Sequence, residues 1–148
     1  MATTPATPEH ALLQLFIGNW VNEGESVASE DAPAARILTS DVYEWMPGGC
    51  FVLHTAYGRF GGDDAGGTEI IGYDAAKKVY QSYFFDSQGN FTIDELTVND
   101  GVWTWQGERT RATSVFTDDG KTQTCLHERS DDGGTWVPAM NVTLIRVD

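Results

Sequence analysis

The stretch Phe91-Thr92-Ile93-Asp94-Glu95-Leu96-Thr97-Val98-Asn99-Asp100-Gly101-Val102-Trp103-Thr104-Trp105 contains the fold in miniature. Two runs rich in β-branched and aromatic residues flank Asn-Asp-Gly, a cluster that supplies the positive φ angles of a tight hairpin. The same grammar repeats in both directions. Turn clusters stand at Pro47-Gly48-Gly49, Asp74-Ala75-Ala76-Lys77, Ser87-Gln88-Gly89-Asn90, Asp118-Asp119-Gly120-Lys121 and Asp131-Asp132-Gly133-Gly134. Between them the pattern predicts strands near 19–29, 36–46, 50–60, 67–74, 78–86, 90–98, 101–108, 110–117, 121–130 and 135–147. Sequential strands joined by hairpins make a meander, and a sheet that long curls and closes to remove its edges. The predicted fold class is therefore all-β: a roughly ten-stranded antiparallel up-and-down barrel with a short N-terminal helix.

That helix is read from Pro8 to Ile17, with Thr7 as N-cap, Pro8 first, Glu9 an anion in the first turn and Gly18 the stop. His10 at its start is expected to be solvated. Residues 1–8, rich in Thr, Pro and Ala, are expected to form a disordered tail, and 9–148 a single domain. The 148 residues fit one domain, large enough to fold without a metal or disulfide staple. Nine Lys and Arg against 22 Asp and Glu give a net charge of −13. That field repels phosphate backbones and anionic membranes, so neither nucleic acid nor membrane is an expected partner. Residues 1–8 do not read as a secretory signal, and the expected location is the cytoplasm, where Cys50 and Cys125 would stay reduced.

Opposed residues in a hairpin share a face, so turn positions predict the interior. Taking Asn99-Asp100-Gly101 as the turn sets Trp103 opposite Thr97 and Trp105 opposite Glu95. Taking Ser87–Asn90 as the next sets Phe84 opposite Ile93 and Ser82 opposite Glu95. One parity then gathers Tyr80, Phe84, Phe91, Ile93, Trp103, Trp105, Phe116, Met140, Val142 and Leu144, with Cys125, His127 and Arg129 on the same side. This set is expected inside. In the first half, Val42, Glu44, Met46, Phe51, Leu53, Thr55 and Tyr57 form a slightly more apolar group than Asp41, Tyr43, Trp45, Val52, His54 and Ala56. His54 fits either face.

An aromatic-lined interior with a few placed polar groups is how ligand sites are built, and a barrel of about eight or more strands can hold a small ligand. The candidate ligand-binding residues are Tyr80, Ser82, Phe84, Trp103, Trp105, Ser114, Phe116, Arg129, Met140 and His54; the plainer reading of the aromatics is core. Glu95 and His127 are the candidate catalytic pair. A carboxylate enclosed by Trp and Phe rings loses hydration and gains basicity, and a neighbouring imidazole could carry the second proton. Against this stand an ion pair of Glu95 with Arg129, or a solvated Glu95 on the outer face. The three histidines lack metal-binding spacing, so no metal is expected. Gly61-Gly62-Asp63-Asp64-Ala65-Gly66-Gly67 lacks the Lys-Ser/Thr ending of a phosphate loop and reads as a flexible hairpin connector.

Gly18-Asn19-Trp20 after a short helix resembles the G-x-W opening of lipocalin-like barrels, a resemblance that implies an Arg packed over the Trp, here Arg146. Further motifs are similar to the bacterial lipocalin-like domains of the DUF1579 type. These are Gly72-Tyr73-Asp74, Tyr80 with Phe84-Phe85-Asp86, Trp103-x-Trp105-x-Gly107-Glu108, Asp119-Gly120-Lys121-Thr122, Glu128-Arg129-Ser130-Asp131-Asp132-Gly133 and Trp136-Val137-Pro138. The resemblance runs from about residue 12 to 147 and implies the barrel and a small-molecule cavity, but no settled reaction. Nitrobindin-like haem barrels open similarly, but the later glycine spacing in Gly18-Asn19-Trp20-Val21-Asn22-Glu23-Gly24 departs from theirs. His127 is the only candidate haem ligand, and no cofactor is expected. The leading expectation is a protein that binds a small, mostly apolar or aromatic molecule inside the barrel. The alternatives are a metal-free isomerase, cyclase or dehydratase-like enzyme using Glu95 and His127, and a homodimeric assembly protein with a packed barrel.

Overall fold

The computed structural model describes residues 2–147. Ten antiparallel strands follow one another: β1 (Gly18–Ser26), β2 (Arg36–Trp45), β3 (Val52–Phe60), β4 (Asp63–Asp74), β5 (Val79–Asp86), β6 (Phe91–Asn99), β7 (Val102–Gln106), β8 (Thr110–Thr117), β9 (Thr122–Arg129) and β10 (Val137–Arg146). Each pairs with its sequence neighbours, and β1 pairs with β10 to close the barrel. The predicted architecture is the observed one. Strand β4 starts earlier than expected, because only Gly61 and Gly62 turn the chain and Asp63–Gly67 pair with β3.

The helical segment is split. Helix α1 (Pro8–Ala11) gives way to a 3-10 turn, Leu12–Phe16, and Thr7 caps the start by accepting from the His10 amide. His10 is not solvated: it is buried, with Nδ1 2.6 Å from Thr7 Oγ1 and its ring edge-on to Tyr73. This segment plugs one end of the barrel. Leu13 and Phe16 are fully buried, and the Phe16 ring packs against Tyr43, Trp103, Trp105 and Phe116 at centroid distances of 5.0–6.0 Å. Polar ties fix the plug to the strands. Trp20 Nε1 donates to Phe16 O at 2.9 Å, Trp45 Nε1 to Gln14 Oε1 at 2.8 Å, and the Tyr80 hydroxyl to Glu9 O. Arg146 lies 4.2 Å above the Trp20 ring, as the lipocalin resemblance implies, and donates to the carbonyls of Leu15, Ile17 and Gly120. The opposite end, bounded by the connections at 27–35, 61–62, 87–90, 107–109 and 130–136, is the mouth.

Two face assignments differ from expectation. The β6–β7 hairpin has a two-residue loop, Asp100 and Gly101, both at positive φ, so Asn99 pairs with Val102 and Leu96 with Trp105. The β5–β6 hairpin likewise pairs Phe84 with Thr92. A shift of one residue flips the whole strand. Asp94, Leu96 and Val98 therefore face inward, while Phe91, Ile93 and Glu95 lie outside, Phe91 at 69% exposure. In the first half the interior belongs to Tyr43, Val52 and His54, with Asp41, Trp45 and Ala56 in register. Val42, Met46, Phe51 and Tyr57 are exposed. The more apolar face lost there because the inward groups satisfy one another by hydrogen bonds.

Phe16→Ala removes a fully enclosed ring and should cost about 3–5 kcal/mol of unfolding free energy. Phe91→Ala, on the outer face, should stay within about 0.5 kcal/mol. Denaturant titrations of the two variants check both the plug and the register of β6, and the reverse ranking would contradict them.

Candidate functional site

Three neighbouring strands place three inward residues in a row: Asp41 on β2, His54 on β3 and Glu69 on β4, with His54 and Glu69 directly paired. The imidazole bridges both carboxylates. His54 Nε2 lies 2.7 Å from Asp41 Oδ2 and Nδ1 2.7 Å from Glu69 Oε1. Tyr43 stacks on the imidazole at 3.7 Å between centroids and 10° between planes. Thr39 donates to Asp41, and Glu69 Oε2 accepts from Ser82 Oγ and, at 2.9 Å, from Trp105 Nε1. The result is a polar belt across the barrel, above the plug.

Its charge state follows from the geometry. Burial alone would lower the His54 pKa, but the bonds to Asp41 and Glu69 and their charges overcome it and raise it from 6.5 to about 9. Burial likewise pushes Glu69 up, and the His54 contact with the Ser82 and Trp105 donors outweighs it, so the carboxyl is held below its usual range. Two carboxyl groups thus share one protonated imidazole. With its lone pairs engaged by three donors, Glu69 is a poor base.

Toward the mouth the inner face changes character. Phe84, Asp94, Trp105, Ala112, His127 and Met140 all face in and are only half-buried. The Phe84 ring lies across Gly67, where a Cβ would come within 2.5 Å of it. Gly107 makes room for Asp94 in the same way, since a Cβ there would stand 2.5 Å from Asp94 Oδ1. Burial raises the Asp94 pKa, assisted by the Glu69 charge, and burial lowers His127 to about 4 against the pull of Glu69. His127 is therefore neutral at pH 7. Deeper in the barrel, Ser114 donates to Gln123 Oε1 at 3.1 Å, while Gln123 Nε2 and Asn22 Oδ1 are buried with no partner among the described residues.

Of the residues singled out from sequence, Ser82, Trp105 and His54 meet in the belt, and Phe84, His127 and Met140 line the mouth half. Tyr80, Trp103 and Phe116 surround the plug, and Ser114 is buried beside Gln123. Arg129 is exposed and pairs with Asp131 at 3.1 Å. Glu95 sits on the outer face, so it does not meet His127; Glu69 is the carboxylate whose charge reaches that imidazole. Asp41, Glu69 and Asp94 were missed. The signal for Asp41 and Glu69 was their pairing distance from His54 across two hairpins. Among the described residues no group of three or more His, Cys, Asp or Glu is arranged to hold a metal ion. Cys50 and Cys125 are free.

A closed ten-stranded barrel plugged by an N-terminal helical segment, with an Arg over the G-x-W tryptophan, is a lipocalin-like domain. The chain belongs to the family described as "Protein of unknown function (DUF1579)", whose model matches residues 5–146. Among solved structures it is similar to Rv2717c from M. tuberculosis, with a TM-score of 0.69 and 12% identity over 96% of this chain and 99% of that one. It is also similar to the S-type phycobiliprotein lyase CPES from Guillardia theta, with a TM-score of 0.64 and 10% identity over 96% of this chain and 94% of that one. At these identities the likeness is one of fold. No curated protein matches the sequence at a significant level. No helix among the described residues is long and apolar enough to cross a membrane.

The two inner histidines bend the pH dependence of stability in opposite directions. His54, raised to about 9, contributes fully below 6.5, and that contribution is lost as pH rises through 9. His127, lowered to about 4, stays neutral in the fold while the unfolded chain takes up a proton, so stability also falls as pH drops from 6.5 toward 4. Stability should peak near pH 6.5, with carboxylates such as Glu69 steepening the acid side. Proton NMR of the imidazole Cε1–H signals should find one titration near 9 and one near 4, and His54→Gln should flatten the alkaline limb. A His54 that titrates near 6.5 would contradict the belt.

Proposed function

We propose that this protein binds a small, mostly apolar or aromatic molecule in the mouth half of its barrel. The observation that carries this reading is the asymmetry of the interior. At the plug end, half-buried Trp45, Tyr73, Val98 and Phe116 surround the fully buried Leu13, Phe16, Trp20 and Trp103, whereas toward the mouth Phe84, Trp105, Ala112, His127 and Met140 face inward and are half-buried without such a plug over them. Inward aromatics with accessible surface next to a few fixed polar groups form a binding wall. Support also comes from the neighbour titled a phycobiliprotein lyase, since a barrel of this form serves there in work on another molecule. The belt beneath would act as the floor, held rigid by its own hydrogen bonds. Proton transfer is the weaker reading, because Glu95 is outside and Glu69 is held below its usual range.

Nile red, a neutral apolar fluorophore, tests the site. One equivalent should bind with a blue shift and quench tryptophan emission. Ala112→Phe should project a ring from the inner wall between Trp105 and His127 and weaken binding roughly tenfold or more without lowering the unfolding midpoint, a loss of about 1.4 kcal/mol. Absence of binding, or binding that survives Ala112→Phe but is lost in Phe91→Ser on the outer face, would overturn the proposal.

A further inference from the structure

We infer that the ligand of the mouth half carries a cationic nitrogen, a protonated amine or amidinium attached to an aromatic or apolar body, with Asp94 as its charge partner. This rests on the binding proposal and names the ligand class. Three observations lead to it.

The first is that Asp94 and His127 are inward groups with nothing to bond. Neither has a hydrogen-bond or ion-pair partner among the described residues. They flank Trp105 on the inner wall. Asp94 stands beside Gly107, just past the end of the strand that carries Trp105, and His127 pairs with Ala112, which pairs with Trp105. A half-buried carboxylate without a partner gives up hydration for no return unless something occupies its other side. Gly107 leaves the room that this carboxylate occupies, so its position is built into the β7–β8 connection.

The second is the sign of the interior. Among the described residues, Asp41, Glu69 and Asp94 face protonated His54, and Arg129, which shares the inward parity of His127 at the rim of β9, is exposed and paired with Asp131. Five arginines stand near the mouth end. Four are paired with acids, Arg36 with Glu23, Arg59 with Asp64, Arg111 with Glu128 and Arg129 with Asp131, and the fifth, Arg109, is exposed in the 107–109 connection with its guanidinium beside Gly133. A cationic ligand would offset the excess negative charge, whereas an anionic one would meet it at close range. The net charge of −13 acts in the same direction over longer distances by raising the local concentration of cations.

The third is the wall chemistry. Trp105 and Phe84 lie on the same inner wall as Asp94, and an aromatic face attracts a cation, most strongly when both are partly desolvated. His127, neutral at pH 7 and on β9, has a lone pair for a donor on another part of the ligand. The carboxylate and the ring faces match an ammonium or amidinium, which has several donors and no acceptor.

Isothermal titration at pH 7 with three probes sharing one body separates the outcomes: 1-naphthylmethylamine, 1-naphthylmethanol and 1-naphthylacetate. The amine should bind about tenfold or more tighter than the alcohol, and the acetate weakest, because one partly desolvated charge pair contributes at least this much. Asp94→Asn should reduce the amine's advantage to about threefold or less, and Arg129→Gln should leave it unchanged. Equal binding of all three, or tightest binding of the acetate, would overturn the cationic assignment and leave the binding proposal standing. Failure of all three to bind, together with failure of Nile red, would remove both.

Discussion

The bridge from Asp41 through His54 to Glu69 is the contact on which the rest of the interior depends. It spans three adjacent strands, so it exists only in the observed register of β2, β3 and β4. Two carboxylates this deep in a barrel would be intolerable without a cation between them. The imidazolium supplies it, and Thr39, Ser82 and Trp105 satisfy the remaining lone pairs. The same bridge sets the face of every residue on these strands. Moving any one by a single position would turn the belt outward and bring Val42, Leu53 and Ile70 in.

The belt also divides the barrel by packing. Below it, the helical segment brings Leu13 and Phe16 into a ring of aromatics, and the Arg146–Trp20 stack closes the end against water. Above it, small and half-buried inward residues alternate with Phe84, Trp105 and Met140. One end closes around the buried plug. The other keeps Asp94 and His127 half-buried with no hydrogen-bond partner among the described residues, and on these two groups the proposed binding site rests.

Much of this architecture was legible in the sequence. Turn clusters at regular spacing define ten strands, and Gly18-Asn19-Trp20 with Arg146 identifies the lipocalin-like closure. The inner face of β7 to β10 was legible too, since Trp103, Trp105, Phe116, Val142 and Leu144 keep one parity across well-marked turns. Strand β6 was misread because Asn99-Asp100-Gly101 supports either a three-residue or a two-residue loop, and only the pairing of Asn99 with Val102 decides. In β2 and β3, hydrophobicity pointed the wrong way. A buried polar belt hides from any pattern that equates interior with apolar, and its members lie 13 and 15 residues apart in the chain. Glu95 drew attention for the reason that applies to its neighbour Asp94: one carboxylate of that pair had to face inward, and the turn selects which.

The account stands or falls on whether the mouth half holds a molecule. Native mass spectrometry of the protein purified from its native cells, followed by denaturation and analysis of what is released, measures this directly. The account predicts a single small species, one per chain, containing an aromatic or apolar body and a basic nitrogen. Protein that flies at its bare mass, and that retains nothing after incubation with a small-molecule extract of the same cells, would contradict it.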